Sequence, residues 1–179
     1  LVFAHHPALA GSEVLFDIEP DGFASSGPRA QLEGGDVLVA APDTLLVGIS
    51  QRTNRRGVEA LAAYLRHEET TFRHLVLVDL PPRRSYMHLD TVFTLIDEGM
   101  CLAYLPVIEA GQRESAGAYY VDLQADEVRF ALRDCVHEAL DRLGWELEVV
   151  PCGGAADAVD QERGQWTDGA HAFAVAPGV

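Results

Sequence analysis

The chain contains no lysine: all 13 of its basic residues are arginine. Chemistry that needs a lysine amine is therefore excluded, both Schiff-base catalysis and the phosphate-binding lysine of a P-loop. Cysteine is scarce as well. Cys101, Cys135 and Cys152 stand too far apart for a zinc or dithiol redox motif, and an odd number fits reduced thiols in a cytoplasmic protein. No run approaches the roughly 20 apolar residues of a membrane span. Basic residues are few enough to leave a net charge of −15, which argues against a nucleic-acid surface. The same balance suits a cationic ligand, and equally suits plain solubility or a salt-adapted proteome. Leu1 is neither an initiator Met nor the start of a signal-peptide pattern. Ala176-Pro177-Gly178-Val179 follows directly on an apolar run, so both ends read as cut.

What is present suffices for a core: 179 residues, 48% of them hydrophobic. Ser12 to Ile18 reads as a possible strand, and Asp21 to Ala30, rich in Gly, Ser and Pro, as a loop. His5-His6 invites a metal reading but has no third ligand at a useful spacing, so a surface or partly packed pair is the simpler reading. From Glu33 a clear pattern begins. Asp36–Ala41 and Thr44–Ser50 read as strands joined by a Pro42-Asp43 turn. A helix follows, with Thr53 as N-cap and Val58, Leu61, Ala62 and Leu65 on one face. His74–Leu80 reads as a buried strand ended by Pro81-Pro82.

The same order then recurs. Thr91–Asp97 and Met100–Ile108 flank a Glu98-Gly99 turn. After a polar connection, a helix at about 127–143 places Val128, Ala131, Cys135, Ala139 and Leu143 on one face, with Gly144 to end it. Leu147–Cys152 closes the second set. The chain thus reads as two ββαβ units, about 33–80 and 88–152, whose first strands start 55 positions apart at Asp36 and Thr91. Residues 165–179 begin a further unit. Repeats of this size suggest a radial α/β arrangement in which equivalent strand ends converge on a centre.

Each unit opens on polar chemistry: Glu33 and Asp36 in the first, His88 and Asp90 in the second. If Leu89 to Leu95 is extended, period-two alternation sends His88 and Asp90 to the same side. An imidazole beside an anion is a compact way to place a proton shuttle next to a group that can hold a cation. An isolated His-x-Asp is also what a strand-capping histidine with a solvated aspartate looks like.

Four stretches in order carry a resemblance: Leu32-Glu33-Gly34-Gly35-Asp36-Val37, Gly48-Ile49-Ser50-Gln51-Arg52-Thr53, Met87-His88-Leu89-Asp90-Thr91-Val92-Phe93, and Gln165-Trp166-Thr167-Asp168-Gly169 with the closing Ala176-Pro177-Gly178-Val179. Over roughly residues 32–179 the chain resembles the arginine deiminase group of the guanidino-group-modifying superfamily, the pentein or α/β-propeller fold. That resemblance implies part of an α/β-propeller as a single incomplete domain over 1–179. It also implies hydrolysis of a guanidinium C–N bond, arginine to citrulline and ammonia, through a covalent cysteine intermediate and without a metal or organic cofactor. It makes His88 the general acid/base, Asp90 and Glu33 the carboxylates on the guanidinium nitrogens, and Arg52 the partner of the substrate α-carboxylate. Asp36 comes with them as a substrate-side or supporting carboxylate.

The assignments are chemically coherent. A planar guanidinium is best held by carboxylates, and an arginine that recognises a carboxylate favours free arginine over its decarboxylated amine. Gly34-Gly35 would let the backbone turn so that Glu33 faces the centre. The family's nucleophilic cysteine, in a glycine-rich C-terminal segment, has no counterpart here, and Cys101, Cys135 and Cys152 read as buried structural thiols. Ala155-Ala156-Asp157 departs from the pattern, so Asp157 receives no role, and Trp166 and Asp168 read as packing or loop residues. Three readings stay open: a deiminase fragment, a related amidinotransferase or methylarginine hydrolase, and a non-catalytic binding module of the same fold. An incomplete propeller exposes strand edges, so a homo-oligomer is expected, with neither nucleic acid nor membrane as partner.

Overall fold

The computed structural model describes residues 7–9, 11, 16–18, 28–112, 114–125, 131–133, 135–154 and 157–172. Its architecture is mixed α/β with two open sheets. Strands β1 (Val37–Ala41), β2 (Thr44–Ile49) and β3 (His74–Asp79) belong to the first, with helix α1 (Arg55–His67) between β2 and β3. Strands β4 (Phe93–Asp97), β5 (Met100–Ala103) and β8 (Glu148–Pro151) form the second. Between β5 and β8 lie the short helix α2 (Leu105–Ile108), strands β6 (Gly117–Asp122) and β7 (Ala131–Arg133), and helix α3 (Val136–Asp141); helix α4 (Ala158–Trp166) follows β8.

Both sets pair in the same order. β1 is antiparallel to β2 and β2 parallel to β3; β4 is antiparallel to β5 and β5 parallel to β8. The second set is interrupted, however, because β6 and β7 join the first sheet, giving the order β1-β2-β3-β6-β7. All six residues of β6 pair antiparallel with β3. Leu45, Val47, Leu75 and Leu77 alternate toward α1, which answers with Val58, Leu61, Ala62 and Leu65. Leu46, Val76 and Val78 face the other way, into a core shared with Val92, Phe93, Cys101, Ala103, Val136 and Leu140. Covered on both sides, β2 and β3 carry nearly continuous apolar runs.

Several sequence expectations are corrected. Asn54, not Thr53, caps α1: its side chain accepts the Gly57 N–H, leaving the buried Thr53 hydroxyl to accept the Glu33 N–H at 3.1 Å. The strand expected at Thr91–Asp97 starts at Phe93, because Leu89–Thr91 forms a 3₁₀ turn closed by Val92 N–H to Leu89 O. Met100–Ile108 is a strand only to Ala103; Pro106 has no N–H for a ladder and sits in the first turn of α2. Among the described residues, the helix expected at about 127–143 covers only Val136–Asp141. Ala131–Arg133 is strand, and Cys135 is the N-cap rather than a helix-face residue. Val128 lies outside the described residues. Gly144 does follow that helix, at φ +81. Trp166, read as a packing or loop residue, is neither: it ends α4 with 83% of its surface exposed. His5-His6, residues 12–15 and, of the further unit expected over 165–179, residues 173–179 lie outside the described residues; residues 16–18 are not strand. No helix among the described residues is long and apolar enough to cross a membrane.

The segment leading to Glu33 crosses the start of α1. Gln31 O accepts the Asn54 N–H at 3.0 Å, and a Cβ on Gly57 would lie 2.0 Å from that carbonyl. Helix propensity alone favours Gly57→Ala by about 1 kcal/mol. The collision reverses the sign, and the variant is expected to lose about 2 kcal/mol in a urea unfolding experiment.

Candidate active site

Asp36 ties the site together from beneath. It is fully buried, closing the 3₁₀ turn Gly34–Asp36. Its Oδ1 accepts the Leu89 N–H at 2.9 Å and its Oδ2 accepts the Ser50 hydroxyl at 2.7 Å. Ser50 Oγ in turn accepts the backbone N–H groups of Arg52 and Thr53. One carboxylate thus anchors both the loop that carries Arg52 and the turn that carries His88 and Asp90. Burial pushes its pKa above the ordinary 3.8, outweighing the opposing hydrogen bonds from Thr53, Ser50 and Leu89 and the nearby His88. A Cβ on Gly48 would sit 2.5 Å from Asp36 Oδ1, so only glycine leaves room for this carboxylate. Asp36 therefore lies behind the surface on which a ligand would sit.

That surface is made by Glu33, His88, Asp90 and Arg52. His88 Nε2 lies 2.8 Å from Glu33 Oε2, and since a carboxylate only accepts, Nε2 carries the proton. The other face of the ring lies against Gly35, where a Cβ would be 3.0 Å from His88 Nδ1 and 2.7 Å from Asp90 Oδ2. Gly35 has no positive φ. It is needed for this close approach, not for the tight turn that the sequence suggested. His88 and Asp90 come together although the alternation argument fails, because the 3₁₀ turn and Gly35 do what an extended strand was expected to do. Asp90 Oδ1 is buried and has no hydrogen-bond partner among the described residues. An acceptor left open in this way has unused capacity for a donor.

Arg52 reaches Glu33 Oε1 at 3.8 Å with 55% of its side chain exposed, a loose pair that leaves the guanidinium free to turn. Beside it, Gln51, Arg52, Arg84 and Met87 line an open hollow of about 420 Å³. Sequence reasoning missed Ser50 and Thr53 as supports, although both stand within the motif that flagged Arg52. It also missed His171, whose Nε2 lies 3.4 Å from Asp90 Oδ2.

The arginine deiminase family model matches residues 1–179. The chain belongs to the arginine deiminase family. An arginine deiminase of Listeria monocytogenes serotype 4b is 35% identical over 182 residues, covering 99% of this chain and 42% of the relative. One from Bacillus thuringiensis subsp. konkukian is 32% identical over 184 residues, and one from Bacillus cereus 32% over 182, with the same shares covered. The chain thus spans under half the length of the curated relatives it matches.

The three cysteines are poorly placed to act as nucleophiles. Cys101 is buried in β5, where burial pushes its pKa up to about 12. Cys152 is buried and also raised by burial, and lies close enough to Gly164 and Gly169 that a Cβ on either would come within 3.0 Å of Sγ. Cys135 is buried with its Sγ accepting the Glu138 N–H at 3.5 Å. Among the described residues no group of three or more His, Cys, Asp or Glu could hold a metal ion.

Proposed function

We propose that this chain holds the guanidinium end of arginine and moves its protons in a deiminase reaction whose attacking thiol comes from outside these 179 residues. The observation that carries this reading is the meeting of Glu33, His88 and Asp90 around Gly35: two carboxylates beside one imidazole, one with an acceptor oxygen unused. Glu33 and Asp90 would take the N–H donors of the planar cation. Arg52 would leave Glu33 to pair with the α-carboxylate, and Asp36 would act as a positioning residue.

In the reaction the thiolate attacks the guanidinium carbon. His88 gives a proton to the departing nitrogen, ammonia leaves, and a thiouronium remains. His88 then takes a proton from water as its oxygen attacks the same carbon, and collapse releases citrulline and a proton and regenerates the thiolate. The repeated antiparallel-then-parallel pairing supports reading β1-β2-β3 and β4-β5-β8 as two units of an α/β-propeller.

Titrating the chain with L-arginine and with agmatine, its decarboxylated counterpart, tests the site. Saturable arginine binding is expected, weakened about tenfold or more by Asp90→Asn, and Arg52→Gln should erase the preference for arginine over agmatine. No citrulline is expected from the chain alone. Absence of saturable binding, or an unaffected Asp90→Asn variant, would remove the guanidinium site. Turnover lost in His88→Ala would place the nucleophile among Cys101, Cys135 and Cys152.

A further inference from the structure

We infer that His171 is an internal stand-in for the substrate cation, and that a guanidino ligand must displace its imidazole from Asp90, releasing a proton to solvent as it binds. The inference rests on the guanidinium-binding role given to Asp90 above. An imidazolium is, like a guanidinium, a planar cation with N–H donors at its edge. His171 Nε2 stands 3.4 Å from Asp90 Oδ2, beyond good hydrogen-bond distance, and 55% of its side chain is exposed. A long, half-exposed contact is readily exchanged. The neighbouring carboxylate is engaged in the same way, since Glu33 is met by His88 and Arg52. Each carboxylate proposed to grip the substrate thus already has an imidazole against it.

The contact is built by the fold. Ala170 is fully buried in the core, Gly169 N–H donates to Gly164 O, and His171 N–H donates to Asp168 O at 2.9 Å. Asp168 adopts φ +54 to make that turn. Gln165, buried in α4, donates from Nε2 to Ser85 O at 2.9 Å, docking α4 on the segment that leads into His88. His171 is therefore presented to Asp90 by a backbone anchored just before it, while its half-exposed ring has room to swing.

Several charges surround the contact. His88 lies on Asp90's own turn, Glu33 and the buried Asp36 come from the turn before β1, and Arg52 comes from the loop before α1. Imidazoles as a class change charge between about pH 5 and 8. A protonated His171 competes with a cationic ligand for Asp90, and a neutral one competes far less. Affinity is then expected to fall as pH drops through the imidazole range, by at most about tenfold per pH unit, with proton release on binding strongest in the same range.

Isothermal titration of the 179-residue protein with L-arginine from pH 5.5 to 8, in buffers of differing ionisation enthalpy, measures both quantities. The native protein should lose about fivefold or more in affinity toward the acid end and release protons there. His171→Asn should remove roughly half or more of that release and flatten the affinity profile. His171→Arg, a cation throughout this range, should bind weakly at every pH. Equal profiles and equal proton release in native protein and His171→Asn would overturn this inference alone. So would His171→Arg matching native affinity at pH 8. Failure of both native protein and His171→Asn to bind at any pH would overturn the role of Asp90, and this inference with it.

Discussion

Asp36→Ala is expected to lower stability by about 3 kcal/mol, a large part of the roughly 5–15 kcal/mol that holds a domain of this kind together. The substitution removes the acceptor for the Leu89 N–H and the Ser50 hydroxyl, at 2.9 and 2.7 Å. It leaves a buried N–H without a partner, which costs about 1–3 kcal/mol by itself. Asp36→Asn keeps the shape and one acceptor and should lose about half as much. Urea unfolding measures both; an Asp36→Ala midpoint indistinguishable from native would mean that the buried carboxylate is not the tie described above.

The pH dependence has a definite sign. Burial raises the folded-state pKa of Asp36 above 3.8, so the folded chain holds that proton more tightly than the unfolded chain does. Stability from this group is gained as pH falls through the raised folded value, and the gain is complete below about 3.8. The native protein should therefore improve relative to Asp36→Asn on acidification. A gap that narrows instead would contradict the assigned cause.

The second large effect is at Gly35. A methyl group there would lie 2.7 Å from Asp90 Oδ2, closer than real Cβ atoms approach, and 3.0 Å from the His88 ring. One side chain must leave its place, and Gly35→Ala is expected to weaken L-arginine binding by about a hundredfold. At the neighbouring Gly34 an added Cβ would meet nothing within 4 Å, so Gly34→Ala should leave affinity within about twofold of native. The pair is a sharp comparison, since both substitutions alter the same turn. Equal affinities in the two variants would show that the approach of His88 and Asp90 to this turn is not needed for the ligand.

Strands β1 to β3 were legible because they are apolar runs bounded by Pro, Gly and Asp, and because α1 buries the very face its periodicity marks. What the pattern could not separate was a short strand from helix or loop. Gly117–Asp122 mixes buried Ala118 and Val121 with half-buried tyrosines and reads as connection, while Ala131 and Cys135 fall by coincidence at helical spacing. At the site, motif residues identified Glu33, His88, Asp90 and Arg52, but the geometry uniting them is a 3₁₀ turn and a missing Cβ, neither of which has a periodic signature. His171 was invisible for a plainer reason. Its meeting with Asp90 depends on the docking of α4, a contact between segments remote in the chain.

The pairing of β6 with β3 has a kinetic meaning. A strand synthesised between β5 and β8 must return to the first sheet, so the two sheets are interleaved along the chain rather than strung in series. Neither sheet's neighbours are complete until most of the chain has been made, and long-range closure of this kind slows folding. Pieces cut near Pro81-Pro82 would each lack strands that the other supplies.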